Sequence, residues 1–415
     1  LADLRGMQPC INRIQLEVVM NESPPWVRVL VSVTVASTAA MLPVFLLGAA
    51  APGIRADLHF DTGRLGVVVS AFWVAMALGG LVAGRLAHAL GAAVTTYLGV
   101  VTSVAALLGL ALSPSWVVLI PFAAVGGIGC AITTPAVDMA LFEVVPADQR
   151  GLAYGVKQAS LPAASLLAGV CVPALVLTAG WRWAFVAGMV LALSALLALP
   201  RHGRRAGPRT GDRAETRTGR LNDVIPVAIA VGLAMSGVSA MGAFYVESAI
   251  SSGESVRAAG FLLALGSVFG IAGRFLFSWR LGALSRPYAI VALLIALGGA
   301  GAAAFAVRGH GVVLIAGTVV AFGAGWGWNS LLTQTVVAGH PEATARASAY
   351  VMVGAAIGGV AGPAAFGLAV SHFGYGVAWS TCAVCFLLAA AVLFTLSAVT
   401  APRKREGDPD LAMVR

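Results

Sequence analysis

Two charged side chains stand inside apolar runs of this chain, and both are of types that bind ions or carry protons. Lys157 lies in RGLAYGVKQASLPAASLLAG, residues 150–169, and is one of only two lysines in 415 residues; the other is Lys404. Asp138 lies in the apolar run before it, in ITTPAVDMALF. A charge at the centre of a lipid-spanning helix costs roughly 2.5–3.5 kcal/mol on insertion scales, so such a group faces protein or a water-filled cavity. Lys157 sits about 10 Å along its helix from the preceding polar loop, at 1.5 Å per residue. The two runs are neighbours joined by a short loop, so the spacing predicts an Asp138–Lys157 pair. A lysine there grips an anion or holds a gate. Asp138, read as the one carboxylate inside a span, is the first choice for a proton carrier: burial and a nearby ammonium act on a carboxyl in opposite senses. The bland alternative is that both snorkel to an interface, or latch to Arg150 or Glu143.

Other candidates are weaker. Gln158 adjoins Lys157, on a face about 100° away. Arg274 lies within GIAGRFLF, and GAGWGWNSLLTQT (323–335) carries Trp326, Trp328, Asn329 and Gln334, which offer aromatic walls and amide groups. An aromatic interface belt is the plain alternative for the tryptophans. Glu247 and Glu254 read as lying after the seventh apolar run, Asp57 and Asp61 as lying in the first loop of that same side. The chain has no HExxH, no nucleophile elbow, no Walker loop and no cluster of acids or histidines in its apolar runs. An enzyme or an ATP-driven pump therefore lacks its chemistry, and no metal or cofactor is expected. Cys382 and Cys385 form a CxxC in apolar surroundings, read as helix packing.

The elements that must position these residues follow from composition. Hydrophobic residues make up 59% and charged ones 10%, against about 25% charged in a typical soluble domain, and mean hydropathy is +0.91. Such a chain needs lipid as its solvent. The net charge of +9 is carried by short arginine runs between apolar segments, with no continuous basic face, so nucleic acid is excluded as a partner. A spanning helix needs about 20 mostly apolar residues. Twelve stretches qualify: 27–51, 65–84, 94–112, 116–139, 152–177, 183–199, 224–246, 258–279, 288–307, 312–337, 346–370 and 376–399.

The chain thus divides into a terminal segment 1–26 with no evident cleavable signal peptide, a six-helix bundle 27–200, a basic linker 201–223, a second bundle 224–399 and a tail 400–415. With both termini in the cytoplasm, 21 of the 26 Lys and Arg fall inside, and only Arg55, Arg64, Arg182, Arg257 and Arg308 fall outside. The expected location is the inner membrane, multi-pass, as a monomer.

The two halves also resemble each other. Arg150, Ala153, Tyr154, Gly180 and Trp183 match Arg346, Ala349, Tyr350, Gly376 and Trp379 at a single offset of 196, and GRLAHALG (84–91) aligns with SWRLGALS (278–285). Two like-oriented bundles can rock around a site between them. At that offset Lys157 maps to Val353 and Asp138 to Gln334, so a common scaffold does not require the two charges. Gly354, Gly358 and Gly362 recur every four residues, which lets helix backbones approach closely. Pro43, Pro135, Pro162 and Pro363 are expected to bend their spans.

On these residues the chain resembles the major facilitator superfamily over nearly its whole length. The loop after the second span is similar to the Gly-x-Leu-Ala-Asp-Arg-x-Gly-Arg signature: Gly84, Leu86, Ala87 and Gly91 keep it, while Arg85 fills the open position. His88, Ala89 and Ala92 stand where its acid and bases belong. In the second copy Ser278 and Gly282 replace the glycine and the acid, and Arg286 remains.

The resemblance implies an all-α membrane fold of two parallel-repeat six-helix bundles, with spans one, four, seven and ten lining a cavity. It also implies secondary active transport of a small-molecule substrate, with protons as coupling ion, and leaves the loop's charged latch in doubt. The favoured cargo is a small polar or anionic solute, with Lys157 as its anion partner. The rivals are an efflux antiporter for drugs or hydrophobic metabolites, whose Gly-Pro signature is not cleanly present, and a non-transporting sensor. For the latter the longest polar stretch, 201–223, is too short to be a signalling domain.

Overall fold

A computed structural model describes residues 25–146, 149–198, 224–281, 286–307, 311–340 and 344–400. The expected terminal segment up to residue 24, the linker 201–223, Gly282, Arg308 and the tail from 401 lie outside the described residues. Every element within them is helical: α1 (Pro25–Ala49), α2 (Ala51–Leu58), α3 (Thr62–Leu90), α4 (Ala92–Leu112), α5 (Trp116–Val144), α6 (Arg150–Gln158), α7 (Ser160–Cys171), α8 (Trp181–Ala198), α9 (Val224–Ser251), α10 (Val256–Leu281), α11 (Pro287–Ala306), α12 (Val312–Gly339) and α13 (Thr344–Thr400). In hydrocarbon a backbone must satisfy its own polar groups, and a helix does so within one segment. Serine and threonine hydroxyls in these helices follow the same rule by bonding back to carbonyls: Thr34 to Leu30 at 2.7 Å and Thr133 to Gly129 at 2.8 Å.

Among the described residues, 10 helical segments are long and apolar enough to cross a membrane, and Trp181–Leu196 is a shorter apolar helix. The longest segment, Arg346–Val399, is not one straight rod, because α13 breaks at Gly374, whose φ of 82° and ψ of 173° are non-helical. Such a φ is open to glycine without a side-chain clash, and it divides α13 into two arms. The chain is a multi-pass membrane protein.

The helices differ in detail from the sequence expectation. The second span extends to Thr62–Leu90, and the seventh runs one turn past residue 246 to Ser251. The fifth is split: α6 ends at Gln158, α7 begins at Ser160, and a π-helical turn spans Val172–Val176. Of the four prolines expected to bend spans, Pro162 is the one next to a division between helices. Pro43, Pro135 and Pro363 lie inside continuous ones.

On either side of 199–223 the packing follows one scheme. In the first half α3 and α4 both pack on α5, α4 also meets α8, and α1 lies against α5, α7 and α8. In the second half α10 and α11 both pack on α12, and α9 packs on α13. Gly354, Gly358 and Gly362 serve this last contact: a Cβ on each would fall 2.0–2.2 Å from the carbonyls of Ala228, Gly232 and Ser236 of α9. The stripe therefore joins helices of one half, and it packs there and does not slide across the midline. Cys382 and Cys385 line an apolar groove of about 710 Å³ between α9 and both arms of α13.

Across the midline the halves meet unevenly. At the end of the molecule where Gly374 lies, Gly66 of α3 abuts the Pro363 carbonyl so closely that a Cβ would come within 2.4 Å. Nearby, Ser70 Oγ donates to the Val360 carbonyl at 2.9 Å. Gly48 of α1 faces the Gly242 carbonyl of α9 just as tightly. Toward the opposite end, where Gly91 lies, α3 and the first arm of α13 part. Gly80 and Gly84 have nothing within 4 Å of a built Cβ, and Leu78, Leu81, Met352 and Ile357 are exposed. On the other flank α7 and α10 stay in register, with Ser267 Oγ donating to Ser165 Oγ at 2.9 Å.

Candidate functional site

The charges of the apolar interior gather in two places, one at each end. At the Gly91 end, α5 and α6 run back to back through a short connection, and Lys157 Nζ lies 3.0 Å from Asp138 Oδ1. The lysine side chain is 10% exposed and the aspartate 40%. The contact is close enough for charge pairing, without the alignment of a hydrogen bond. Tyr154, one turn before Lys157 on α6, donates its hydroxyl to the Asp138 carbonyl at 3.0 Å, which ties α6 to α5. Arg150 does not join the pair. Its guanidinium donates to the carbonyls of Val145 and Phe142 and lies over the Phe142 ring, where a cation suits the orphan carbonyls at the end of α5.

Gln158 enters through its backbone. Pro162 has no N–H, so the carbonyl four residues earlier loses its helical donor. That carbonyl belongs to Gln158, and Arg274 Nη1 of α10 donates to it at 2.5 Å. Arg274 is 5% exposed, and its Nε has no partner. Among the described residues no carboxylate pairs with it. Trp326 and Trp328 are buried side chains of α12, not members of an exposed belt. Trp326 packs on Phe45 of α1 at 5.7 Å and on Phe322 at 4.7 Å, and the indole nitrogens of both tryptophans lack partners. Asn329 is half-buried and Gln334 is exposed beyond them.

The loop motif is turn chemistry. Gly91 carries φ of 84° and links α3 to α4 with a single residue. Arg85, His88 and Arg286 are exposed, and among the described residues none has an ion-pair partner.

At the Gly374 end lies a cluster that the sequence reading missed. Arg55 Nη1 of α2 meets Glu247 Oε1 of α9 at 2.6 Å, and Tyr375 of α13 donates its hydroxyl to Glu247 Oε2 at 3.1 Å. The Glu247 side chain is 5% exposed, so Asp138 is not the one carboxylate inside a span. The apolar window closed at residue 246 because the charge itself ended it; pairing lets α9 continue through. Arg55 Nε also donates to the Phe60 carbonyl at 3.0 Å, which fixes the guanidinium against its own half. Beside this cluster, Arg182 and the Trp181 indole both bond Asp57, at 2.5 and 3.0 Å. The Arg182 guanidinium, aided by the indole, holds the Asp57 carboxyl below the ordinary carboxylate range. Arg64 pairs with Asp61 at 3.3 Å. One signal for the cluster was available: Glu247 is a charge at the edge of an apolar run with no basic residue on its own helix, and Arg55 stands beside another such run.

The chain belongs to the Major Facilitator Superfamily, whose model matches residues 33–351. Over 172 residues it is 33% identical to an uncharacterized MFS-type transporter of Mycobacterium tuberculosis; the match takes in 40% of this chain and 30% of that relative, so it spans less than a third of the relative's length. Its fold is similar to that of a D-xylose-proton symporter, with a TM-score of 0.73 at 17% identity, covering 89% of this chain and 97% of the other. It is also similar to a bacterial homolog of the human lysosomal transporter Spinster, in an inward-facing and occupied conformation, with a TM-score of 0.68 at 18% identity over 91% and 98% of the two chains.

Proposed function

We propose that this transporter is a twelve-span secondary active carrier of a small polar or anionic solute, built from two like-oriented six-helix bundles and driven by protons. The carrying observation is the uneven midline: the halves are tied at the Gly374 end through Arg55 and Glu247, and α3 and α13 part at the Gly91 end. A carrier that exposes its site to one face at a time needs this asymmetry and its reverse. The split of α13 at Gly374 and the shorter α8 support reading the sixth, eleventh and twelfth spans of that count.

Orientation follows from the arginines. Those that the positive-inside rule leaves on the outer side include Arg55, Arg64 and Arg182, and each is paired with a carboxylate. With Arg257 and Arg308 they are 5 of the 26 Lys and Arg, too few to oppose the bias of the other 21. The Gly374 end is thus the outer one, both termini are cytoplasmic, and the structure corresponds to a form closed outside. Asp138 and Lys157 sit toward the cytoplasmic side, where each holds the other's charge. Gln158, Arg274, Trp326 and Trp328 border the same central region, with Asn329 and Gln334 further toward the cytoplasm.

Reconstitution in liposomes with an imposed proton gradient tests the reading. A panel of small labelled acids, sugars and amines is offered, and at least one is expected to accumulate and to leak out on adding an uncoupler. Movement of a hydrophobic dye alone would replace this reading with efflux of apolar compounds. No gradient-dependent flux of any kind would remove transport itself.

A further inference from the structure

A guanidinium enclosed in protein without a carboxylate is costly to hold, because its desolvation is repaid only by a close opposite charge. Among the described residues Arg274 is in that position. It is 5% exposed, its Nε has no partner there, and its Nη1 donates to the neutral carbonyl of Gln158. The one cation nearby in sequence to Gln158, Lys157, already has Asp138. Among the described residues Arg274 is therefore the cation of this region that lacks a counter-charge.

Its surroundings add donors of the same kind. Helices α10 and α12 run parallel in a register set by Gly270, where an added Cβ would lie 3.5 Å from Trp326 Cε3, and by Gly273, whose backbone packs near Gly327. On that register Arg274 falls level with Gly327, between Trp326 and Ser330, the residue one turn further along α12. Trp326 Nε1 and Ser330 Oγ are both buried and unpartnered. An indole can only donate, as can a guanidinium, and a hydroxyl can donate when it rotates. Three unsatisfied groups that lean toward donation, one of them charged, suit a ligand that supplies acceptors and a negative charge.

We propose that Arg274 anchors an oxyanion, a carboxylate or phosphate, of the transported solute, with Trp326 and Ser330 as supporting donors. This rests on the transport reading above and assigns to Arg274 the anion-binding role expected of Lys157. The free Nε and one Nη form an edge that takes both oxygens of a carboxylate or phosphate in parallel. The Gln158 carbonyl holds the guanidinium in place until the anion arrives. A purely structural role for Arg274, capping the carbonyl that Pro162 orphans, makes a different prediction: any solute should be indifferent to its charge.

The test is binding by the purified full chain in detergent, which needs no transport and so fails independently of the transport reading. Thermal stabilisation is titrated at constant ionic strength with lactate, with inorganic phosphate, and with neutral lactamide, for the wild type, Arg274→Gln, Arg274→Lys and Trp326→Phe. Saturable stabilisation by lactate or phosphate but not by lactamide is expected, and which of the two binds identifies the oxyanion. Arg274→Gln should weaken it at least tenfold, Trp326→Phe a few-fold, and Arg274→Lys should fall between. If Arg274→Gln folds poorly, Pro162→Ala in the same chain restores a helical donor to Gln158, and stability should return without the anion affinity. Equal affinity in wild type and Arg274→Gln, equal response to lactate and lactamide, or no saturable response of the wild type to either anion would overturn the assignment.

Discussion

At the Gly374 end an arginine from one half meets a glutamate from the other, 192 residues away, at 2.6 Å. At the Gly91 end a lysine and an aspartate of the same half meet at 3.0 Å. The chemistry is alike and the mechanics differ. Under the proposed rocking motion a pair that crosses the midline has to break when the halves part, so its energy belongs to one conformation. A pair within a half travels with its helices and stays formed in both. Burial sharpens the contrast, since Glu247 is almost enclosed while Asp138 is nearly half exposed. Position relative to the midline, more than charge, separates a gate from a brace.

The largest expected effect comes from halving the crossing pair. Arg55→Ala leaves Glu247 as a buried charge without its partner, a loss on the order of 3–5 kcal/mol borne by the closed form alone. In a cysteine-free background carrying Ala51→Cys, a buried position at that end, labelling by a membrane-impermeant maleimide should accelerate by more than tenfold. An unchanged rate would mean that the pair does not hold the end shut. The charge-swapped Arg55→Glu, Glu247→Arg chain should recover part of the protection.

Next in size is a steric version of the same experiment. Gly66→Ala places a methyl 2.4 Å from the Pro363 carbonyl, and overpacking of this kind costs about 1–3 kcal/mol. The same cysteine should again become more reactive. Gly80→Ala, further along α3 where nothing lies within 4 Å, should leave it unchanged. If the two glycines behave alike, the asymmetry of the midline is wrong.

Breaking the brace should do less. With Lys157→Gln the half-exposed Asp138 can be solvated, so thermal stability should fall by about 1 kcal/mol or less, with no change in labelling at Ala51→Cys. Increased labelling would make Lys157 part of the gate. Smallest of all is the exposed Arg182–Asp57 pair. Arg182→Ala should cost at most about 1 kcal/mol. Because the Asp57 carboxyl is held below its ordinary range, its contribution is present above that range and is lost only as pH falls through the lowered value. Wild type and variant should therefore differ by a constant amount from pH 8 to pH 5 and converge only in stronger acid. Convergence already near neutral pH would contradict the pairing.

How far the sequence could be read depended on sequence distance. Lys157 and Asp138 could be brought together because a short connection makes their helices neighbours whatever else the fold does. The glycine stripe 354–358–362 was legible as a close approach through its period of four, but not its partner α9, since helix periodicity is silent about which helix fills the groove. Arg55 and Glu247 were visible as charges and not as a pair: they lie 192 residues apart, and no local pattern encodes a contact at that distance. Gln158 drew notice for its place beside Lys157, whereas its backbone oxygen is the atom in use. Pro162 was the clue, because a missing N–H frees the carbonyl four residues back.

Distances across the α3–α13 seam test the central claim most directly. Spin labels at Val67 and Leu368 report the Gly374 end, and labels at Leu81 and Met352 report the Gly91 end; all four positions are exposed. In lipid nanodiscs the first pair should give a short, narrow distance distribution and the second a longer one. Arg55→Ala should lengthen the first while shortening the second. Two distances that lengthen together, or a Gly91 end that stays fixed while the other opens, would contradict a rocking carrier held shut by Arg55 and Glu247.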